Sequence, residues 1–276
     1  MILIADSGST KTDWYIGDDT NNSITYQTPG CNPYFMSAQH LAESFSLVQN
    51  AMQGQKPDHI WFYGAGCTPG EKSDTVRNAL ACVFGSACSI EVASDMLGAA
   101  RALCGNSEGI ACILGTGSNS CLYDGHDIVA NVSPLGFILG DEGSGANLGK
   151  LFVGNVLKDQ FDANLKAEFI AQHGSPSDII DRVYRQPLPN RWLASLSPFI
   201  LHHIGDPKVK KMVCEAFKSF FTRNTANYHR PDLKIGLVGS VAYYYKDIIS
   251  EVAADMGLYI GTIVRSPIEG LKAYHK

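Results

Sequence analysis

Two α/β domains, each a mixed sheet flanked by helices, are what the sequence predicts, and three observations predict it. A strand, a short turn of Gly, Ser and Thr, and a second strand occur twice, at "LIADSGSTKTDWY" (Leu3 to Tyr15) and at "CILGTGSNSCLYD" (Cys112 to Asp124). Strands alternate with segments of helical periodicity after the first of these. The 276 residues, 45% of them apolar, divide more naturally into two modest domains than one.

Taken in order, the first copy reads as a β-hairpin, because apolar residues alternate on both sides of a Gly-containing turn. Set beside the second copy without a gap, Gly8 meets Gly117, Ser9 meets Ser118 and Trp14 meets Tyr123. The segment "AQHLAESFSLVQNAM" spaces its apolar residues as a helix, "HIWFYGAG" is a strand, "SDTVRNALACVFG" a helix, "SIEVAS" a short strand and "DMLGAARALCG" a helix. A boundary falls near residues 105–109, "GNSEG". After the second copy comes a Gly-rich loop, "GFILGDEGSGANLG", then a mostly helical stretch to about Asn227. Next, "LKIGLVGSVAYYYKDIISEVAADMG" reads as strand, Gly turn and helix, "LYIGTIV" as a final strand, and "SPIEGLKAYHK" as a short helix started by Pro267 close to its first position.

Composition excludes several classes of function. A net charge of -5, with no run of Lys or Arg, argues against a nucleic-acid partner. No segment approaches the roughly 18 uninterrupted apolar residues of a membrane span, and the N-terminus enters a strand without a basic leader, so a soluble, cytoplasmic protein with no membrane partner is expected. Eight cysteines (31, 67, 82, 88, 104, 112, 121 and 214) are scattered without a CxxC pair and read as reduced thiols, with Cys82, Cys112 and Cys214 in apolar contexts.

The chemistry concentrates in the Gly loops. A turn of Gly, Ser and Thr offers backbone N–H groups and short hydroxyls, which is what a polyphosphate requires. Asp6, at the strand end, suits Mg²⁺ held through water beside the phosphates rather than the phosphates themselves. Rival signatures fail: "GSGANLGKL" puts Ser144 at the first Gly position of a P-loop and Leu151 at its hydroxyl position, and "GAGCTPG" has the wrong spacing for a dinucleotide fingerprint. Asp95 stands where a strand gives way to a helix, a position that helix capping explains, with Ser94 as an available cap. Capping explains one of the adjacent Asp141 and Glu142 and both less well. An Asp near bound phosphates could also accept the proton of an attacking hydroxyl. His202, His203, Trp192, Phe199 and Tyr243 to Tyr245 read as helix-surface or core residues.

Both hairpins, Asp95, the "GDEGS" loop and the late "GLVGS", in that order, resemble the acetate and sugar kinase, Hsp70 and actin superfamily. Within it the chain most resembles the N-acetylglucosamine kinase-like branch of the BadF/BadG/BcrA/BcrD ATPase family, over nearly its whole length. The resemblance implies two ribonuclease H-like (actin-like ATPase) domains, residues 1–107 and 108–265. A C-terminal helix of about 266–276 packs back on the first, and ATP and sugar lie in the cleft between the domains. It implies an ATP-dependent kinase for a hydroxyl of an N-acetylated amino sugar, giving the 6-phosphate, with Mg²⁺ as cofactor. Asp95 becomes the catalytic Asp and Asp6 the Mg²⁺-side carboxylate. Gly8, Ser9, Thr10, Lys11, Gly115, Thr116, Gly117 and Gly239 become ATP contacts, and Asn32, Ser118, Asn119 and Asp141 sugar contacts. Members acting on N-acetylglucosamine commonly carry "GGWG" where this chain has "SPLG", Ser133 to Gly136, which leaves the amino sugar open. Alternatives are an N-acetylmuramic acid kinase, a non-catalytic sugar sensor, and an activator-type ATPase coupled to a partner reductase or dehydratase. Nothing resembles the "CAAGTGR"-like segment of the activators, so no iron–sulfur cluster is expected. A homodimer is compatible with the acidic, aromatic-rich chain.

Overall fold

The computed structural model describes residues 1–8, 10–17 and 23–276. The chain divides into two compact units. Unit 1 comprises Met1–Ser107, Asp124–Ile128 and Ser266–Lys276, and unit 2 comprises Glu108–Tyr123 and Val129–Arg265.

Unit 1 is built on strands β1 (Ile2–Ser7), β2 (Lys11–Gly17), β3 (Ser23–Pro29), β4 (His59–Gly64) and β5 (Ser89–Ser94), in the order β3-β2-β1-β4-β5. Strands β1 to β3 form an antiparallel meander, and β4 and β5 extend it in parallel with β1. Alternation sorts the side chains by face. Leu3, Ala5 and Trp14 point to helices α1 (Ala38–Ala51) and α2 (Glu71–Phe84), where Trp14 packs edge-on against Phe45 at 5.7 Å. Ile4, Tyr15 and Tyr63 point the other way, to α3 (Asp95–Cys104) and to Ile268 and Leu271 of the C-terminal helix. That helix is fixed by His275, which stacks on Trp61 at 4.1 Å and meets the Tyr63 hydroxyl at 2.7 Å.

Unit 2 holds β6 (Gly109–Leu114), β7 (Ser118–Tyr123), β8 (Ile128–Ala130), β9 (Ile235–Val238) and β10 (Ile260–Val264), in the order β10-β9-β6-β7-β8. With each unit's strands taken in chain order this is the same topology as unit 1, a hairpin followed by two parallel additions. The helices between β8 and β9 are α4 (Gly136–Leu139), α5 (Gly145–Leu157), α6 (Ala163–His173), α7 (Pro176–Tyr184), α8 (Pro189–Ser195), α9 (Ser197–His202) and α10 (Pro207–Arg223). A 3₁₀ turn, Thr225–Tyr228, ends this stretch, which the sequence reading left undivided. Helix α10 shows how locally determined these elements are. Asp206 caps it by accepting from the Lys208 and Val209 N–H groups, and Pro207 occupies the first turn. Val209, Met212, Val213, Ala216, Phe217, Phe220 and Phe221 recur at helical spacing as its buried stripe. Helices α11 (Ser240–Tyr244), α12 (Lys246–Asp255) and, in unit 1, α13 (Ile268–Tyr274) complete the chain. Among the described residues no helix is long and apolar enough to cross a membrane.

Three sequence readings are corrected. Strands β3 and β8 were not anticipated. The gapless pairing of the two hairpins slips: it equates Ser7 with Thr116, whereas the last ladder pairs are Ser7 with Thr12 and Leu114 with Ser118. The turns differ in length, spanning residues 8–11 in one and 115–117 in the other, so the devices correspond in topology and not residue by residue. Cys82 is exposed on α2, while Cys112 is buried; all eight cysteines are free thiols.

Candidate active site

The candidate residues of unit 1 gather at the C-terminal ends of its parallel strands, where open α/β sheets place their ligands. Ser7, Gly64 and Ser94 form one row across β1, β4 and β5. Asp6 precedes that row by one residue and Asp95 follows it, with Ser94 and not Asp95 capping α3 through a bond from the Leu97 N–H at 3.2 Å. Asp95 is therefore not the cap, and it stands in the first turn of α3, where the helix dipole favours a carboxylate. One of its oxygens, Oδ1, accepts from the Met96 N–H at 2.9 Å.

Asp6 and Asp95 are both half-buried. Burial pushes Asp6 up to about 7; the negative charges of Asp95 and Asp13 add to this, and the Lys11 ammonium opposes it. Burial likewise raises Asp95 to about 6, against the stabilising Met96 N–H bond. Asp13 was missed in the sequence reading. Counting the hairpin register would have found it, because it stands directly opposite Asp6 and so on the same face. It also holds Lys11, whose Nζ donates to both Asp13 oxygens at 2.9 and 2.7 Å, together with Gln27 at 2.6 Å. Lys11 is thus committed to an exposed ion pair. Thr10 is exposed in the turn and Gly8 closes it, donating to the Lys11 carbonyl at 3.0 Å. Ser9 lies outside the described residues. Asn32 sits in the loop after β3, where its Oδ1 accepts the Tyr34 N–H at 2.9 Å.

Unit 2 gathers its own set around the β6–β7 turn. The Gly115 N–H donates to the Gly117 carbonyl at 2.9 Å. Helix α5 docks onto the same turn, with the Gly145 and Ala146 N–H groups donating to the Gly115 and Thr116 carbonyls at 2.8 and 3.1 Å. The Thr116 and Gly117 N–H groups at its tip have no protein acceptor among the described residues, which is the donor supply an anion needs. Asp141 leans on this turn: its Oδ1 lies 3.4 Å from the Ser118 N–H, and a Cβ at Gly117 would stand 3.0 Å from its Oδ2. Its backbone is left-handed, with φ of 51°, a strained state for a non-glycine residue. Burial raises its ionisation above the ordinary carboxylate range; the Ser118 N–H works against this, Glu142 adds to it and Lys150 opposes it.

Neither Asp141 nor Glu142 caps α5, because Ser144 does, accepting from the Asn147 N–H at 3.1 Å. Glu142 is instead neutralised by Arg223 at 2.9 Å, so the two adjacent carboxylates have separate fates. Asn119 Oδ1 is occupied by the Ser120 N–H and the Asn131 amide, each at 2.9 Å. Gly239, with φ of 125°, ends β9 against the Leu114 carbonyl oxygen, closer than a real Cβ could stand. The backbone of unit 2 by itself therefore requires glycine here.

Comparison with solved structures decides the family. The "putative N-acetylglucosamine kinase" from Porphyromonas gingivalis is 51% identical to this chain, with a TM-score of 0.95, over 100% of this chain and 98% of that one. This chain belongs to the N-acetylglucosamine kinase-like branch of the BadF/BadG/BcrA/BcrD ATPase family. Two more distant structures share the fold of this N-acetylglucosamine kinase-like chain. One is the "putative N-acetylglucosamine kinase" from Chromobacterium violaceum, at 16% identity and TM-score 0.75, covering 100% and 98% of the two chains. The other is a ROK family glucokinase from Streptomyces griseus in complex with glucose and AMPPNP, at 14% identity and TM-score 0.64, covering 95% and 93%. No family model and no curated protein matches this member of the branch.

Proposed function

We propose that the protein is an ATP-dependent kinase that phosphorylates the 6-hydroxyl of an N-acetylated amino sugar of the N-acetylglucosamine type. The observation that carries this reading is the pair of half-buried carboxylates, Asp6 and Asp95, beside one row across the ends of β1, β4 and β5. The sugar class follows the name of the Porphyromonas gingivalis relative, and ATP follows the phosphate-type turns.

In this reading the sugar oxygen attacks the γ-phosphorus, the bond from that phosphorus to the β–γ bridging oxygen breaks, and ADP departs. Asp95 takes the hydroxyl proton. An ionisation near 6 leaves Asp95 mostly charged at neutral pH while keeping it basic enough to accept that proton. The Thr116 and Gly117 N–H groups hold phosphate oxygens, and Asp141 accepts from sugar hydroxyls, its left-handed backbone aiming the carboxylate. Asp6 and Asp13 fit a divalent cation held through water: they are mutually repelling carboxylates with a single lysine between them, and no cage of three or more direct ligands occurs among the described residues. Mg²⁺ bound there would neutralise phosphate charge.

The test is ADP release from Mg-ATP across N-acetylglucosamine, N-acetylmuramic acid, N-acetylmannosamine, glucosamine, glucose and buffer alone. Strong stimulation by one N-acetylated sugar, with the phosphate on its 6-oxygen by NMR, is expected. Turnover independent of every sugar would overturn the reading.

A further inference from the structure

A cavity of about 680 Å³ opens on unit 2 between the stretch preceding Asp141, helix α5 and helix α10. It shares no residue with the candidate site, and its size falls within the usual range of small-molecule sites, roughly 300–1,000 Å³. One wall is apolar, formed by Leu151, Phe161 and Met212, with Ile138 and Leu139 projecting 72% and 70% exposed at the rim. Among the charged lining residues cations outnumber anions in an acidic protein: Lys150, Lys208, Lys211 and Arg223 stand with Glu142 and Glu215.

The pairing decides which charges remain. Arg223 is spent on Glu142 at 2.9 Å, and Lys211 approaches Glu215 at 3.9 Å. Lys150 and Lys208 have no carboxylate partner among the described residues. Each is held by a neutral acceptor, Lys150 by the Phe137 carbonyl and Lys208 by the Gln160 carbonyl, both at 2.9 Å. Two ammonium groups held by neutral acceptors beside an apolar wall suit a dianionic head on a small uncharged body, and lysine serves phosphate as a point charge.

We propose that this cavity binds a small phosphate monoester, such as a sugar phosphate, as an effector that acts on the Asp141 loop. Lys150 is the link. It anchors the Phe137 carbonyl within a stretch closed by the Gly140 N–H donating to Gly136 and the Asp141 N–H donating to Pro134, at 2.8 and 2.9 Å. A phosphate that draws Lys150 away releases that anchor and removes a positive charge felt by Asp141. Ligand binding stands on the cavity alone, whereas its effect on sugar affinity rests on the kinase reading above.

The experiment is isothermal titration of the full chain, without ATP, with glucose 6-phosphate, N-acetylglucosamine 6-phosphate and inorganic phosphate. It is run on the wild type, Lys208→Ala, Lys208→Glu and Asp141→Ala. An ester should bind, weaken on raising salt, lose about tenfold or more in affinity in Lys208→Glu and less in Lys208→Ala, and persist in Asp141→Ala. Saturating glucose 6-phosphate should then change the sugar KM several-fold with little change in kcat, and Lys208→Glu should abolish that shift. Binding lost in Asp141→Ala and indifferent to Lys208 would assign the ester to the sugar site and overturn the proposal. Absence of binding by either ester, or inorganic phosphate binding as tightly as both, would overturn it too. These calorimetric outcomes stand even if no sugar proves to be phosphorylated.

Discussion

Replacing Asp6 with Asn should stabilise the protein, and the pH dependence of that gain is the sharpest check on the electrostatics of the strand ends. Burial and the charges of Asp95 and Asp13 move Asp6 from its ordinary 3.8 to about 7. The folded state therefore holds a proton that the unfolded chain has released, so between those values wild-type stability falls as pH rises. Below about pH 4 both states are protonated and the term vanishes; above about pH 7 it is fully developed. At about 1.4 kcal/mol per pH unit the ceiling is roughly 4 kcal/mol. Because part of Asp6 remains in contact with solvent, about half of that, ~2 kcal/mol, is the expected gain for Asp6→Asn at pH 8. Urea unfolding in EDTA at pH 4.5, 6 and 8, with equal m-values, measures it. A gain over wild type that is the same at all three pH values, or a variant less stable than wild type at pH 8, would refute the reasoning.

Asp95→Asn should lower sugar-dependent kcat by about 10²–10⁴-fold while leaving ATP affinity near wild type, read by turnover and nucleotide titration. For the wild type, kcat/KM should fall about tenfold per pH unit below pH 6, as Asp95 takes up its proton, and a profile flat to pH 5 would remove Asp95 as the base. Gly239→Ala should cost roughly 2–4 kcal/mol of unfolding free energy, since a Cβ collides with the Leu114 carbonyl and alanine is strained at φ of 125°; a change within about 0.5 kcal/mol would contradict the close approach.

The fold was legible where local signals agree. The β1–β2 hairpin, α2, α3 and β5 carry turn chemistry, periodicity and a Ser94 cap within a few residues of each other, and they fall where periodicity places them. Strand β3, "SITYQTP", was not legible. Ile24 and Tyr26 alternate with polar residues, but the segment is short and Pro29 ends it; of its seven residues only Thr28 is buried, and β2 supplies a full ladder of partners. Asp6 and Asp95 stand out in the sequence as strand-end acids, but their interaction through burial depends on β4 lying between β1 and β5, a tertiary fact. The engagement of Lys11 by Asp13 needed the hairpin register. The pairing of Glu142 with Arg223, which separates it from Asp141, joins positions far apart in sequence.

The two units use one topology for opposite electrostatic ends. In unit 1 the strand that enters the hairpin carries Asp6 one residue before its end, and in the turn behind it Lys11 is committed to Asp13 and the Gly8 N–H to the Lys11 carbonyl. In unit 2 the equivalent strand finishes with Leu114, and the turn carries no acid of its own. Its Gly115 and Thr116 carbonyls are taken by α5 and its Gly117 carbonyl by the Gly115 N–H, leaving the Thr116 and Gly117 N–H groups as donors. Docking α5 in this way costs that helix its own N-terminal anion site, because Gly145 and Ala146 donate to Gly115 and Thr116 instead. A polyphosphate with a divalent cation asks for both halves of this division, N–H donors for the phosphate oxygens and carboxylates for the metal's water shell.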